Sequence, residues 1–188
     1  MTNTGLIVKG LWIEVIGQIL TSIGYTREVH EPSEDNLRVV AIGDATQAVG
    51  NSLQAVGEDD PIGSAGDWIE ASGAAASSFA TFRQLEEDDI EYLRLEILGA
   101  SLQALGPAVS ALVEEKQIIV FALYLQTIGA FIEAIGGIKE LKGFEKIGVK
   151  LSAIGNYLQT IGVIIQALVL TKELFELEGQ FERTSYGY

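Results

Sequence analysis

The single histidine is the first residue whose chemistry must be considered. His30 stands in a polar segment beside Glu28, Glu31 and Glu34, and imidazole with carboxylates is a set that can bind a divalent metal. A solvated helix end has the same composition, and we favour that interpretation. A serine nucleophile would need a base, and the sequence shows no partner for His30. We therefore expect no metal site and no catalytic centre around it.

Acidic residues recur elsewhere in patterns that are typical of helix ends and repeats. The runs 58–60 and 86–89 lack the alternating oxygen ligands and the fixed glycine of a calcium loop. Glu14 and Glu70 occupy equivalent positions in a repeat, and Gln126 occupies the third. A catalytic carboxylate would not recur in this way. No phosphate-binding loop is present either, because the glycines are spaced along helices without a Lys-Ser/Thr sequel. We expect no cofactor, no small-molecule substrate and no enzymatic activity.

Composition and charge limit the partners. The chain has 188 residues, of which 48% are hydrophobic, with three prolines, no cysteine and a formal net charge of −14. This composition favours a helical protein over disorder. The negative charge repels nucleic acids and anionic lipids, so no nucleic-acid partner is expected. No basic and apolar leader is evident at residues 1–5, which predicts a cytoplasmic location.

The chain repeats with a period of 56 residues. An aromatic position recurs at Trp12, Trp68 and Tyr124, and the stretch 98–106 recurs at 42–50 and 154–162. We expect one domain over 1–188, with repeats 5–60, 61–116 and 117–172 and a C-terminal extension 173–188. So many gapless matches across three copies indicate a triplication.

Each repeat is predicted to be a helical hairpin. The expected helices cover about 5–28, 33–57, 64–85, 89–113, 117–141 and 144–172, with breaks signalled by Pro32, Pro61 and Gly143. No breaker stands at 114–117, so a turn there is favoured over one continuous helix by the repeat alone. Pro107 could kink the fourth helix. The predicted fold is all-α, with three hairpins of long antiparallel helices packed as a bundle or a short helical array.

Glycines inside the predicted helices must have a compensating role. Each destabilises a helix by about 1 kcal/mol relative to alanine. Close approach of two helix backbones could offset this, through dispersion and Cα–H···O contacts. We therefore predict tight helix contacts at Gly17, Gly43, Gly50, Gly73, Gly99, Gly106, Gly129, Gly136, Gly148, Gly155 and Gly162.

Apolar residues follow these glycines at the third and sixth positions and form one stripe. In water such a stripe faces the core, and the recurring aromatic residues are more typical of core fillers than of a ligand pocket. Gln47, Gln103 and Gln159 stand four residues after a glycine. Two interpretations stay open for them: a hydrogen bond to the backbone of a neighbouring helix, or a solvated surface position.

Two segments are apolar enough to raise the question of a membrane. Residues 118–138 and 151–170 have the length of a membrane-spanning helix, and small residues are typical of helix contacts in membranes. Repeats one and two carry Arg38, Asp44, Arg94 and Glu96 in the same architecture. Homologous hairpins should share one solvent, so membrane association is possible but not favoured.

The sequence also resembles a family. The run Trp-Ile-Glu-Val-Ile-Gly at 12–17, with Leu20, Ile23 and Gly24 behind it, and the segment 42–57 are similar to an uncharacterised family of repetitive, glycine-heptad proteins of spore-forming Gram-positive bacteria. The resemblance covers repeats one and two directly and repeat three through its internal similarity. It implies a helical repeat protein and implies no activity, ligand or catalytic residue.

Three functions remain open. The first is a non-enzymatic structural or interaction protein that self-associates into a homo-oligomer, because a face of small residues can accept further helices. The second is a membrane-active protein that inserts or forms pores. The third is a carrier of apolar ligands between loosely packed helices.

Overall fold

Six α-helices make up the part of the chain that the structure describes. The computed structural model describes residues 3–87 and 89–185, with side chains described to residue 179. The helices are α1 (Thr4–His30), α2 (Glu34–Gly57), α3 (Pro61–Gln84), α4 (Ile90–Ser110), α5 (Gln117–Leu141) and α6 (Glu145–Ser185). The described residues contain no strand. The predicted all-α class is confirmed.

Short polar side chains start four of these helices. Asn3, Ser33, Asp60 and Asp89 each accept a hydrogen bond from a backbone N–H of the first turn. α5 ends before Gly143, which has a φ of 81° and is the only residue with positive φ in the described part of the chain. That conformation favours glycine and allows the tight turn into α6.

The helices pack as three hairpins that close into a ring. Within the described residues, α1 packs on α2, α3 on α4 and α5 on α6, while α2–α3, α4–α5 and α1–α6 contacts join the hairpins. Each helix therefore touches only its two neighbours. We call the end of the ring where α1, α3 and α5 begin the near end, and the end where α2, α4 and α6 begin the far end.

The favoured turn between α4 and α5 is confirmed, because residues 111–116 separate the two helices. Three boundaries differ from expectation by three residues or more. α3 begins at Pro61 instead of 64, and α4 ends at Ser110 instead of 113. α6 runs to Ser185 instead of ending at 172. Asp88 of the predicted 86–89 turn, and residues 186–188 of the predicted extension, lie outside the described residues.

Candidate functional site

Glycines of one helix face glycines of its hairpin partner. A Cβ added to Gly17 would lie 2.7 Å from the carbonyl oxygen of Gly43, and a Cβ on Gly43 would lie 2.8 Å from that of Gly17. The same reciprocal arrangement joins Gly10 with Gly50, Gly66 with Gly106, Gly73 with Gly99, Gly129 with Gly155 and Gly136 with Gly148, while Gly162 faces Ala122. All eleven glycines singled out in the sequence lie at these contacts.

The sequence reasoning missed three further glycines of the same kind. Gly10, Gly24 and Gly66 also face backbone carbonyls, at 2.6, 2.9 and 2.8 Å from an added Cβ. Their spacing of seven residues from Gly17 and Gly73 was the signal that could have identified them.

Polar side chains cover the glycine pairs. The residue four positions after one member of a pair packs against the other member, as Gln47 does on Gly17 and Thr21 on Gly43. The residues in this position are Glu14, Thr21, Gln47, Gln54, Glu70, Ser77, Gln103, Ser110, Gln126, Glu133, Glu140, Ser152 and Gln159. All but Ser110 and Glu140 are buried. A ring of polar groups therefore fills the interior that the sequence assigned to apolar residues.

The three recurring glutamines are neither solvated nor bonded to a backbone. Gln47 Nε2 donates to Thr21 Oγ1 at 2.9 Å, Gln103 Nε2 to Ser77 Oγ at 3.1 Å, and Gln159 Nε2 to Glu133 Oε2 at 2.7 Å. Each bond crosses to the other helix of its hairpin. The interpretation of a hydrogen bond to a neighbouring helix was therefore closer, although the acceptors are side chains.

The interior also holds carboxyl groups without basic partners. Glu14, Asp44, Glu70 and Glu133 are all at most 6% exposed. No lysine or arginine is buried among the described residues. Amides and hydroxyls take the place of cations: Gln54 donates to Glu14 at 2.7 Å, and Thr21 donates to Asp44 at 3.1 Å.

Large apolar side chains face outward instead. Val49, Leu105 and Ile154 belong to the stripe expected in the core, yet each is about half exposed. Trp12, Trp68 and Tyr124 are 39, 47 and 53% exposed, so their interpretation as core fillers was wrong. The helix periodicity had correctly placed the stripe on one face, but that face is the outside of the ring.

Charged side chains on the outer surface are confined to the two ends of the ring. On each helix two charged residues bound an outward face without exposed charges: Lys9 and Arg27 (α1), Arg38 and Glu58 (α2), Asp60 and Arg83 (α3), Arg94 and Glu114 (α4), Lys116 and Lys139 (α5), Lys150 and Lys172 (α6). At 1.5 Å per residue these faces are about 27–35 Å long on five helices, and the helical part on α4, from Arg94 to Ser110, is about 24 Å long. We call the surface between these residues the apolar belt.

The charges that had argued against a membrane lie away from this belt. Asp44 is buried, and Arg38 and Arg94 bound the belt at the far end. Glu96 points inward, where it accepts hydrogen bonds from Tyr25 at 2.9 Å and Gln84 at 2.7 Å. Three helices, Thr4–His30, Gln117–Leu141 and Glu145–Gly179, are long and apolar enough to cross a membrane. Membrane association is therefore possible, and nothing in the structure supports the expected cytoplasmic location.

Each end of the ring opens into a cavity. The near-end cavity, of about 470 Å³, is lined by Gln54, Asp67, Ser110 and Gln166 among others. The far-end cavity, of about 570 Å³, is lined by Tyr25, Thr81, Gln84, Glu96 and Glu140 among others.

The far-end cavity carries an excess of negative charge. Glu140 lies just beyond the belt, and burial together with the carboxylates of Glu96, Glu145 and Glu28 raises its pKa to about 8. His30 stands at the same cavity and is exposed. In the described part of the chain no cluster of His, Cys, Asp or Glu has the arrangement of a metal site.

Comparison with known proteins gives a family. A family model described as a family of unknown function, DUF6944, matches residues 5–174. The chain belongs to this family. The DUF6944 match spans the six helices of the ring up to the near-end limit of the belt on α6. The expectation of an uncharacterised family is confirmed, whereas an origin in spore-forming Gram-positive bacteria stays a prediction.

Membership of DUF6944 brings no activity with it. No curated protein and no solved structure matches the chain. The function of this DUF6944 member must therefore be argued from its own surface and interior.

Proposed function

We propose that the protein is an integral membrane protein, a ring of six membrane-spanning helices with a polar interior and no enzymatic step. The apolar belt is the observation that carries this proposal. It runs around the outside of all six helices, and its length of about 24–35 Å is close to the roughly 30 Å hydrocarbon core of a bilayer. A water-soluble ring would expose this surface and bury its amides and carboxyls, which is the reverse of what water favours.

Four serine and threonine hydroxyls on the belt are bonded as lipid exposure requires. Thr46, Ser52, Ser72 and Ser101 face the outer side of their helices, and each donates to the carbonyl oxygen four residues earlier at 2.7–2.8 Å. No polar partner is available in hydrocarbon, so a hydroxyl there must bond within its own helix. Trp12 Nε1 is likewise satisfied, by Thr171 Oγ1 at 3.0 Å.

The helix contacts are also those of membrane proteins. Apolar burial does not drive helices together in lipid, and small residues that allow close backbone approach take over this role. The reciprocal glycine pairs supply such contacts in every hairpin. Polar and ionisable side chains in membranes face the interior of a helix bundle, as Glu14, Asp44, Glu70 and Glu133 do here.

Inward polar residues explain why, among the described residues, only three helices stand out by hydropathy. Helix α2 buries Asp44, Gln47, Asn51 and Gln54 on its inner face. These side chains lower the mean hydropathy of the whole helix, although its outer face between Arg38 and Glu58 has no charge. A window that averages both faces therefore cannot recognise a helix that has lipid on one side and a polar interior on the other.

The other two functions have less support. The glycine faces that motivated self-association are occupied within the chain, so a homo-oligomer stays a prediction that light scattering of the solubilised protein can test. An apolar-ligand carrier would need an apolar interior. The two cavities that open along the ring axis are instead lined in part by carboxyl and amide groups.

Lysine substitutions on the belt test the proposal. Ile128 and Ile161 lie near the middle of the belt and are about half exposed, whereas Ile138 lies at its edge beside Lys139. A lysine at the centre of a membrane helix costs about 2.5–3.5 kcal/mol. We expect Ile128→Lys with Ile161→Lys to reduce the fraction of protein that floats with vesicles after carbonate washing. The matched control Ile138→Lys should float like the wild type.

A water-soluble ring predicts the opposite result. There, wild-type protein would stay in the aqueous fraction without detergent, and the two central lysines would leave its behaviour unchanged or improve its solubility. Either observation would refute the membrane proposal.

A further inference from the structure

The polar interior is connected from the far-end cavity to the middle of the ring. Tyr25 and Gln84 line the cavity and both donate to Glu96. Tyr25 also lies within electrostatic range of Glu133. Glu133 accepts from Gln159, whose Oε1 accepts in turn from Gln18 Nε2 at 3.3 Å. Carboxyl, phenol and amide groups thus follow one another inward from the far end.

A second branch joins the same central layer. Gln18 Nε2 donates to Gln47 Oε1 at 2.8 Å, and Gln47 Nε2 donates to Asp44 Oδ1 at 3.2 Å. Asp44 and Glu133 are electrostatic neighbours. The three amides of Gln18, Gln47 and Gln159 are therefore held together as one layer, with two carboxyl groups on its far-end side.

The near-end half is organised around a second pair of carboxyl groups. Gln54 lines the near-end cavity and donates both to Glu14 Oε2 and to Asn51 Oδ1, at 2.7 and 3.0 Å. Glu70 is an electrostatic neighbour of Glu14 and of Asp67, which lines the same cavity. These groups lead from the near-end cavity inward to Glu14.

Only one turn of α1 separates the near-end half of the polar interior from the far-end half. Polar atoms at this turn have no hydrogen-bond partner among the described residues. Glu14 and Gln18 are four residues apart on α1, about 6 Å along the helix axis. Oε1 of each has no hydrogen-bond partner among the described residues, although both side chains are at least 98% buried. Two donors of the interior, Asn51 Nδ2 and Gln126 Nε2, are also unpartnered within that part of the chain.

These four atoms offer two acceptors and two donors in the same region. Asn51 shares the Gln54 amide with Glu14, and Gln126 occupies the repeat position equivalent to that of Glu14. A buried water molecule binds stably where it finds two to four polar partners. Water in this turn would join the near-end carboxyl pair to the glutamine layer.

We propose that the interior of the ring is a proton pathway between the two cavities. This inference rests on the proposed membrane-spanning function and adds to it the species that crosses. Glu14 and Glu70 relay the proton in the near-end half of the ring, and Asp44 and Glu133 relay it in the far-end half. Chains of acidic side chains within a membrane are the groups that relay protons.

The chemistry of the pathway favours a proton over other cations. A carboxyl group takes a proton on one oxygen and releases one from the other, so that one O–H bond forms as another breaks. At the glutamine layer, Gln18 accepts a proton on its free Oε1 and releases one from Nε2 to Gln159 Oε1, and Gln159 Nε2 releases one to Glu133 Oε2. Each amide forms one O–H bond as it loses one N–H bond, and moving that proton back from oxygen to nitrogen restores the amide before the next transfer. The net result is one proton moved from the side of higher proton activity to the other side. A hydrated metal cation would have to break the hydrogen bonds that Gln18 makes to Gln47 and Gln159.

The test uses the full chain in phosphatidylcholine vesicles with a trapped pH-sensitive dye. A potassium gradient with valinomycin drives protons inward, and an otherwise impermeant buffer leaves the proton as the measured species. Wild-type vesicles should change internal pH faster than protein-free vesicles. The variants Glu14→Gln/Glu70→Gln and Asp44→Asn/Glu133→Gln should each lose this difference. The control Glu91→Gln/Glu176→Gln removes two exposed carboxylates and should keep the wild-type rate.

Flotation of every sample separates the possible failures. Wild-type protein that floats with vesicles but conducts no faster than bare lipid would overturn the proton pathway and leave the membrane ring standing. Glutamine variants that float and conduct like the wild type would also overturn the pathway alone. Protein that does not float at all would overturn both proposals.

Discussion

The contact between Gly73 and Gly99 gives the sharpest prediction for stability. A Cβ on Gly99 would lie 2.7 Å from the carbonyl oxygen of Gly73 and 2.8 Å from the amide nitrogen of Ser77. Both atoms belong to the backbone of α3 and cannot rotate away. The alanine of Gly99→Ala therefore forces α3 and α4 apart, and with them every polar group that bridges this hairpin.

Two effects of opposite sign set the magnitude. Alanine favours the helix by about 1 kcal/mol over glycine. Overpacking a tight contact costs about 1–3 kcal/mol and more when the backbone has to move. We expect Gly99→Ala to lose about 1–2 kcal/mol net, a fall in Tm of about 2–8 °C for a chain of this size. Gly99→Leu and Gly106→Leu should lose more.

Gly179→Ala is the matched control. Gly179 also lies inside a helix, but nothing lies within 4 Å of an added Cβ, so only the gain in helix propensity remains. The double variant Gly73→Ala/Gly99→Ala adds a second check. Because the first Cβ already separates the helices, the second should cost less, and a double-mutant cycle should show coupling.

The assay is thermal unfolding of the detergent-solubilised protein, followed by circular dichroism. The reasoning is refuted if Gly99→Ala is as stable as the wild type, or if Gly99→Ala and Gly179→Ala shift the Tm equally. Either result would mean that the glycine contacts are loose enough to accept a methyl group.

Three further predictions concern the turn at Gly143, the carboxyl group of Glu140 and the orientation of the ring in the membrane. Gly143→Ala should lose about 1–2 kcal/mol in the same unfolding assay, because its φ of 81° is the left-handed region. The pKa of Glu140 in the folded protein is about 8, whereas an ordinary glutamate has a pKa of 4.5. The folded state therefore binds the proton more tightly than the unfolded state does. The resulting stabilisation is present at low pH and is lost as the pH rises through 8. Unfolding free energies measured against pH should therefore fall less steeply between pH 4.5 and 8 in Glu140→Gln than in the wild type. Protease protection in cells should place the far end in the cytoplasm, since most Lys and Arg residues lie there: Arg27, Arg38, Arg83, Arg94, Lys139, Lys142, Lys146 and Lys150.

Much of the architecture could be predicted from the sequence because its signals are local. Proline, capping residues and Gly143 mark helix ends, and most boundaries lie within a few residues of expectation. The glycine contacts could be predicted because glycine within a helix needs a packing reason. The closure of the ring through α1 and α6 could not, since no local signal encodes a contact between the two ends of the chain.

The orientation of the faces was predicted the wrong way round for a physical reason. Periodicity shows which residues share a face, but the solvent decides whether that face turns in or out. Val49 and Leu105 were assigned to the core because water was assumed outside. The signal against this lay in the recurring Gln47, Gln103 and Gln159, which a surface in water would not require.

The central claim is that lipid surrounds the belt, and spin labels measure this most directly. The chain has no cysteine, so single cysteines at Ile128 and Lys142 can be labelled without background. Both positions are exposed, but only Ile128 lies on the belt. In vesicles we predict that a nitroxide at Ile128 is accessible to oxygen and shielded from a water-soluble nickel complex, with the reverse at Lys142. Equal accessibility of both labels to the nickel complex would contradict the membrane-spanning ring.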